Sequence, residues 1–411
     1  MKGRGGSEEA TTQARLTDKQ EREHDEREAA ALNGVEEPVT EGVETQMLLG
    51  GRRLLVYTLV VLVILVALYF VLPELAGLED SLRRIEDADP VWMAVALGFN
   101  LLSFAAYIAL FRGILGGAGV APRVRTRLDW RTSYQITLAG LAATRLFAAG
   151  GAGGVALTYW ALRRAGMGPR QTASRMVAFL VLLYTIYLGA LVVCGIFLRI
   201  GLFPGPSPVA MTIVPAALAG VALIILFLIS LIPADFERIV ARWAAGHRRV
   251  SLARRIASIP ATIATGTRTA LSILRHPSSG LLAIVGAAGF WAANIAVLWA
   301  CFHAFGEDVP KAVLVQGFFV GMTANLLPFF PGGVGSVDAG MIAAFLAFGE
   351  PSSTVFVSVL AYRVIAFWLP IPPGILGYLQ LRGTVARWRA EGDPHEAPGP
   401  VVARGAAAGG G

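Results

Sequence analysis

Six stretches of this chain run for about twenty residues with almost no charge: 54–73, 91–111, 176–199, 210–231, 280–303 and 353–379. A helix of that length crosses the roughly 30 Å hydrocarbon core of a bilayer. Only helices and closed barrels satisfy their own backbone hydrogen bonds there. The expected fold is therefore all-α and polytopic, with about six full spans. The composition points the same way, at 55% hydrophobic and 15% charged residues, whereas a soluble domain is about 25% charged. A mainly disordered chain is excluded too, since it would be poor in apolar residues.

Two further apolar stretches do not fit the twenty-residue template. Residues 132–162 are interrupted by Gly150-Gly151-Ala152-Gly153-Gly154, and residues 312–349 by Pro328-Phe329-Phe330-Pro331-Gly332-Gly333-Val334-Gly335. Loop charges assign their sides, because Lys and Arg collect in cytoplasmic loops. Arg52 and Arg53 put the N-terminus inside. The loop 74–90 carries six acids and two Arg and reads as outside. The loops 112–131 (five Arg, one Asp) and 163–175 (four Arg) both read as inside. The segment 132–162 thus enters and leaves on the cytoplasmic face. The uncharged loop 200–209 fits outside and the 232–278 linker, at +6, inside. Glu307, Asp308 and Glu350 flank 312–349 on the outer side, and Arg382 returns the chain inside. Pairs of short spanning helices satisfy the same sidedness. Re-entrant hairpins are preferred, because a segment such as 150–162 is too short to cross about 30 Å.

Sliding the chain by 182 residues aligns Gly150-Gly151-Ala152-Gly153 with Gly332-Gly333-Val334-Gly335. The flanks agree in kind, span–hairpin–span over about 91–199 and about 280–379. The first unit starts from outside and the second from inside. That is an inverted-topology repeat, a transporter plan with its site near the bilayer midplane. The rest of the chain divides around it. Residues 1–51 read as a disordered, charged cytoplasmic tail, 52–380 as the membrane domain and 381–411 as a second disordered cytoplasmic tail. The linker 232–278 carries apolar stripes at helical spacing (Phe236, Ile239, Val240, Trp243; then Leu252, Ile256, Ile259, Ile263) and reads as two interfacial amphipathic helices.

Inside the apolar zones few ionisable groups occur, namely Arg145, Asp338 and Arg363, with His303 near a span end. Each charge at the bilayer centre costs about 2.5–3.5 kcal/mol on insertion scales, so such residues face a cavity or a partner. Asp338 suits the positive end of a helix, or serves as a titratable group or a contact for a cationic substrate part. Arg363 pairs with Asp338 or holds a phosphate, to which a guanidinium is suited. Arg145 holds a phosphate or snorkels to the cytoplasmic face. The glycines Gly150, Gly151, Gly153, Gly332, Gly333 and Gly335 allow close backbone approach, and helix N-termini just beyond them offer N–H groups to an anion. Asn325 and Thr323 add hydrogen-bonding groups. No cofactor or metal is expected. Cys194 and Cys301 fall in apolar runs, and His303 has no second His or Cys at ligand spacing. The net charge of +7 comes without a nucleic-acid-reading motif.

The run Leu326-Leu327-Pro328-Phe329-Phe330-Pro331-Gly332-Gly333-Val334-Gly335-Ser336-Val337-Asp338 resembles the membrane region of lysylphosphatidylglycerol synthases and related flippase-like membrane proteins. That family shows Pro-Gly-Gly-x-Gly, then an acid three positions on, the place of Asp338. It also shows an Arg followed by a Trp-x-Pro stretch, matched by Arg363 and Trp368-Leu369-Pro370. The resemblance covers about 54–380. The first half departs from it, with Ala149 and Gly154 where the family has Pro and an acid, so the second half is expected to carry the chemistry. The aminoacyl-transferase domain is not expected in the low-complexity residues after 380. The resemblance implies a non-enzymatic lipid translocase in a bacterial plasma membrane, acting on a lipid with an anionic, amine or sugar headgroup. The alternatives are a membrane-embedded lipid or glycosyl transferase, and a non-catalytic partner of a separate lipid-modifying enzyme.

Overall fold

The computed structural model describes residues 87–117, 119–146, 152–232, 250–275, 277–326 and 335–390. The chain divides into the units Met1–Leu72 and Pro73–Gly411, and all described residues belong to the second. The expected span 54–73, both extreme tails, the first linker stripe and the tip residues Gly150, Gly151, Gly332 and Gly333 lie outside them.

Among the described residues every element is helical and none is a strand. Helix α1 covers Pro90–Leu115, α2 Pro122–Arg127, α3 Trp130–Leu146, α4 Ala152–Arg164, α5 Pro169–Arg199 and α6 Ile213–Ser230. Then follow α7 Val250–Arg275, α8 Pro277–Ala304, α9 Lys311–Met322 and α10 Ser336–Ala347. Helix α11 (Ser352–Arg363) passes through a π-helical turn (Val364–Trp368) into α12, Ile371–Ala390. Five segments are long and apolar enough to cross a membrane: Pro90–Leu115, Pro169–Arg199, Ile213–Ser230, Gly280–Ala304 and Ser352–Ala390. They coincide with five of the six expected spans. The chain is a multi-pass membrane protein, and α6 wears the matching surface, with Leu218 68%, Ile224 59% and Leu228 56% exposed. A continuous apolar face of that kind belongs in lipid rather than water.

The start of α1 shows how local chemistry sets an element. Asp89 Oδ1 accepts the Val91 N–H at 2.8 Å, and Pro90 fills the first helical position, where its missing N–H costs nothing. Helices α1 and α8 then cross antiparallel at the centre of the fold. Their small residues permit it, for a Cβ on Gly113 would stand 2.7 Å from the Ala283 backbone nitrogen. Without a hydrophobic drive between helices in lipid, such close backbone approach is what holds them.

The two glycine-broken segments each form a pair of short helices packed antiparallel. In the first, Gly154 of α4 lies against Gly140 and Thr144 of α3, and Gly140 against Thr158. In the second, Gly321 of α9 lies against Met341 of α10, and Gly317 against Phe345. Residues of the first pair match about position 149 and those of the second about position 331.

Two features depart from expectation. The final span is not one regular helix, because Pro370 interrupts it. Helix α12 runs to Ala390, beyond the expected start of the C-terminal tail at 381. Its continuation is buried at Leu381, Val385 and Trp388, and Thr384 Oγ1 donates to Gln135 Oε1 at 2.9 Å. The second linker stripe belongs to one helix, α7, with Pro260 inside it. This helix docks on α5, where Gly266 meets Val177 and the Ser174 carbonyl.

Candidate functional site

Proline supplies the starting point. Pro370 has no N–H to give the carbonyl four residues back, so Ala366 O lacks its usual α-helical donor. The π turn frees a second carbonyl. The Leu369 N–H reaches past Ile365 and donates to Val364 O at 3.0 Å. Side chains from two other helices fill both places. Asn100 of α1 donates from Nδ2 to Ile365 O at 3.0 Å, and Arg145 of α3 donates from Nη2 to Ala366 O at 2.9 Å. π turns inside α-helices recur at functional sites for this reason, since they expose backbone acceptors.

Arg363 stands immediately before the turn and is 5% exposed. Its Nε lies 2.7 Å from Asp338 Oδ1. The other Asp338 oxygen, Oδ2, accepts the Gly335 N–H at 2.7 Å. Gly335 has φ +80°, a left-handed conformation that only glycine adopts without strain. The last glycine of the Pro-Gly-Gly-x-Gly run is thus set by its backbone, and its N–H by the carboxylate three residues on. Both guanidinium groups then meet one ring, with Arg363 Cζ 4.4 Å and Arg145 Cζ 5.3 Å from the Phe367 centroid. Arg145 Nη1 is buried without a hydrogen-bond partner. So is Ser336 Oγ, at the start of α10, and Arg363 Nε and Asp338 Oδ1 form an ion pair by distance without hydrogen-bond alignment.

The arrangement brings together Arg145, Asp338 and Arg363, which are far apart in sequence. It carries two guanidinium charges against one carboxylate. The described neighbours are Tyr107 and Tyr362, within electrostatic reach of Arg145. The undescribed tips, 147–151 and 327–334, contain no ionisable residue. Among the described residues the guanidinium groups of this centre outnumber its carboxylates by one, at a depth where charge is expensive. Guanidinium groups bind anions by charge-assisted hydrogen bonds, and the buried Arg145 Nη1 is a donor of that kind.

Other expected residues stand elsewhere or are not described. Gly153 is in the first turn of α4. Asn325 is in the 3₁₀ turn Thr323–Leu326, its side chain outside the description. His303 packs at the end of α8, its ring against Trp92 and Trp299, with Nε2 3.6 Å from Asp308. Among the described residues no three His, Cys, Asp or Glu side chains group as metal ligands. Asn100, Phe367, Tyr107 and Tyr362 were not singled out from sequence. A polar Asn inside an apolar run was the available signal for Asn100, and the proline four residues after Ala366 the signal for the freed carbonyl.

The family model described as the lysylphosphatidylglycerol synthase TM region matches residues 56–374. A UPF0104 membrane protein of Methanothermobacter thermautotrophicus is 26% identical over 316 residues, covering 72% of this chain and 87% of that protein. Two shorter matches to UPF0104 membrane proteins of the same organism, at 29% and 27% identity, cover 19% and 21% of this chain.

Proposed function

We propose that this chain, which belongs to the lysylphosphatidylglycerol synthase TM region family, moves a phosphate-bearing lipid headgroup between membrane leaflets. The observation that carries the reading is the meeting of Arg145 and Arg363 at the break between α11 and α12, with Arg145 Nη1 buried and without a hydrogen-bond partner. A lipid phosphate matches it in charge and in planar two-point hydrogen bonding. The acyl chains stay in the bilayer while the headgroup passes the centre. Asp338 holds Arg363 in place and Gly335 holds Asp338. Transport then draws on the lipid gradient, protons or the membrane potential.

The architecture proposed for this task has six spans, with 54–73 as the sixth, and two re-entrant hairpins. The helices of the pairs have 17, 13, 12 and 12 residues. At about 1.5 Å per residue the shortest reach about 18 Å, against the roughly 30 Å of a bilayer core. The inverted repeat gains support from the pairing registers. Their centres, 149 and 331, differ by 182, the offset of the glycine match. Helices α1 and α8 are the corresponding first spans of the two units, and they cross antiparallel, as a two-fold axis in the membrane plane requires. The loop-charge asymmetry supports cytoplasmic termini, and the membrane in this reading is the cell membrane. Residues 52–380 form the translocating domain, with the Gly150–Gly153 and Gly332–Gly335 tips at the cavity and Asn325 beside the second.

The test is translocation by the purified chain in liposomes made from its host's total lipid. An impermeant headgroup-reactive reagent modifies inner-leaflet lipid only when that lipid is carried outward. Protein-dependent modification beyond the outer-leaflet share is the expected result. Folded protein with modification confined to the outer leaflet contradicts the reading and favours a lipid transferase or a docking partner for one.

A further inference from the structure

The two helical pairs are fastened to the rest of the fold in the same way. The first helix of each lies against a long span of the other unit, α3 against α12 and α9 against α5, and each contact includes one glycine. A Cβ on Gly377 would stand 3.4 Å from the Gln135 carbonyl oxygen, and one on Gly195 would stand 3.2 Å from Gln316 Nε2. Gly195 and Gly377 are 182 residues apart, the offset of the glycine tips, and Gln135 and Gln316 are 181 apart. Each glutamine is the sixth residue of its helix, and the two are 1% and 0% exposed. A buried amide is costly unless it is hydrogen-bonded. Gln135 Oε1 accepts from Thr384 Oγ1 of α12 at 2.9 Å. Gln316 Nε2 donates to Met211 O, just ahead of α6, at 2.9 Å.

We propose that these two glutamines are latches, Gln135 closing the cytoplasmic side of the protein and Gln316 the outer side, and that they open in alternation. This rests on the translocase reading and on the sidedness of the loop charges, and it deepens both. Both bonds are built to be broken at small cost. Thr384 Oγ1 has a second acceptor in its own helix, Gln380 O at 3.2 Å, to which the hydroxyl turns when Gln135 leaves. Gln316 Oε1 is buried without a hydrogen-bond partner. A buried acceptor of that kind disfavours the closed arrangement, and water entering from the outer side satisfies it. Contacts one turn farther along each helix serve as pivots. Tyr187 Oη donates to Phe319 O at 2.8 Å, and Gly374 lies against Leu138 O and Ala142. Rocking of repeat-related elements about such points is how inverted repeats expose one site to two sides.

The test reads access to the centre from each side. Ser336→Cys, in a chain also carrying Cys194→Ala and Cys301→Ala, places one thiol at the start of α10, where Ser336 Oγ is buried. Vesicles of the full chain, sealed in either orientation, are treated with a membrane-impermeant maleimide. Gln316→Met is expected to raise labelling from the outer side by about two- to tenfold, the ratio equivalent to one hydrogen bond, and to lower it from the cytoplasmic side. Gln135→Met has the reverse effect. Thr384→Val, nearly unchanged in shape, removes the same bond from α12 and repeats the Gln135→Met result. The fall on the opposite side is what a shift between two populations requires, and local loosening of a helix does not produce it. Labelling that rises from both sides, or that no variant alters, overturns the latches and leaves the translocase reading intact. Reciprocal labelling in a chain that moves no lipid upholds the latches and overturns that reading.

Discussion

Replacing Arg363 with Met alone destabilises the protein by about 3–5 kcal/mol, because it leaves the Asp338 carboxylate buried without its counter-charge. Asp338→Asn combined with Arg363→Met regains most of that loss. The pair is geometrically direct, at 2.7 Å, and its side chains are only 6% and 16% exposed. Breaking a buried pair therefore costs more than removing it whole. Thermal midpoints of the purified protein in detergent measure the difference. The double variant should melt well above Arg363→Met. If the two melt together, the ion pair does not organise this part of the fold and Asp338 is held by Gly335 alone.

Arg145→Gln is expected to behave in the opposite way, with little loss of stability and a large loss of transport. Glutamine removes a buried charge, which offsets the loss of the bond that Arg145 Nη2 makes to the Ala366 carbonyl at 2.9 Å, a reach that the shorter amide lacks. It lacks the charge and the second donor that stands free at Nη1. Hydrogen bonds to charged groups are worth about 1.5–3 kcal/mol, so the initial rate of translocation falls by about ten- to a hundredfold. Arg145→Lys restores part of it, because an ammonium supplies the charge without the planar fork. Rates compared at equal thermal midpoint separate binding from folding. A variant that keeps both fold and full rate removes Arg145 from the path.

Much of this was legible in the residues. Uninterrupted apolar length marked the five long helices, since only that length crosses a bilayer. The glycine clusters marked the breaks in both helical pairs. Arg145, Asp338 and Arg363 stood out because charge is costly among apolar residues, and the spacing from Gly335 to Asp338 already suggested a first-turn carboxylate. What periodicity did not reveal is the convergence. Arg145 meets Ala366 across 221 positions and Asn100 meets Ile365 across 265. Those contacts follow from how helices stack, which no local pattern encodes. The two carbonyls they satisfy trace back to Pro370 and to the π turn, and of these only the proline is visible in sequence. The continuation of α12 to Ala390 was hidden by Arg382, Arg387 and Arg389, which resemble a solvated tail. The buried Leu381, Val385 and Trp388 between them carry the helix on.

The central claim is that a headgroup passes the Arg145–Asp338–Arg363 centre, and photo-crosslinking tests it most directly. A phosphatidylglycerol analogue with a photoactivatable group on its glycerol headgroup is irradiated in proteoliposomes, and the labelled peptides are mapped by mass spectrometry. The account predicts adducts on the end of α3, the first turn of α10 and the Val364–Trp368 turn, lost in Arg145→Gln. Adducts confined to outward-facing residues such as Leu218 and Ile224 of α6, unchanged in that variant, would contradict it.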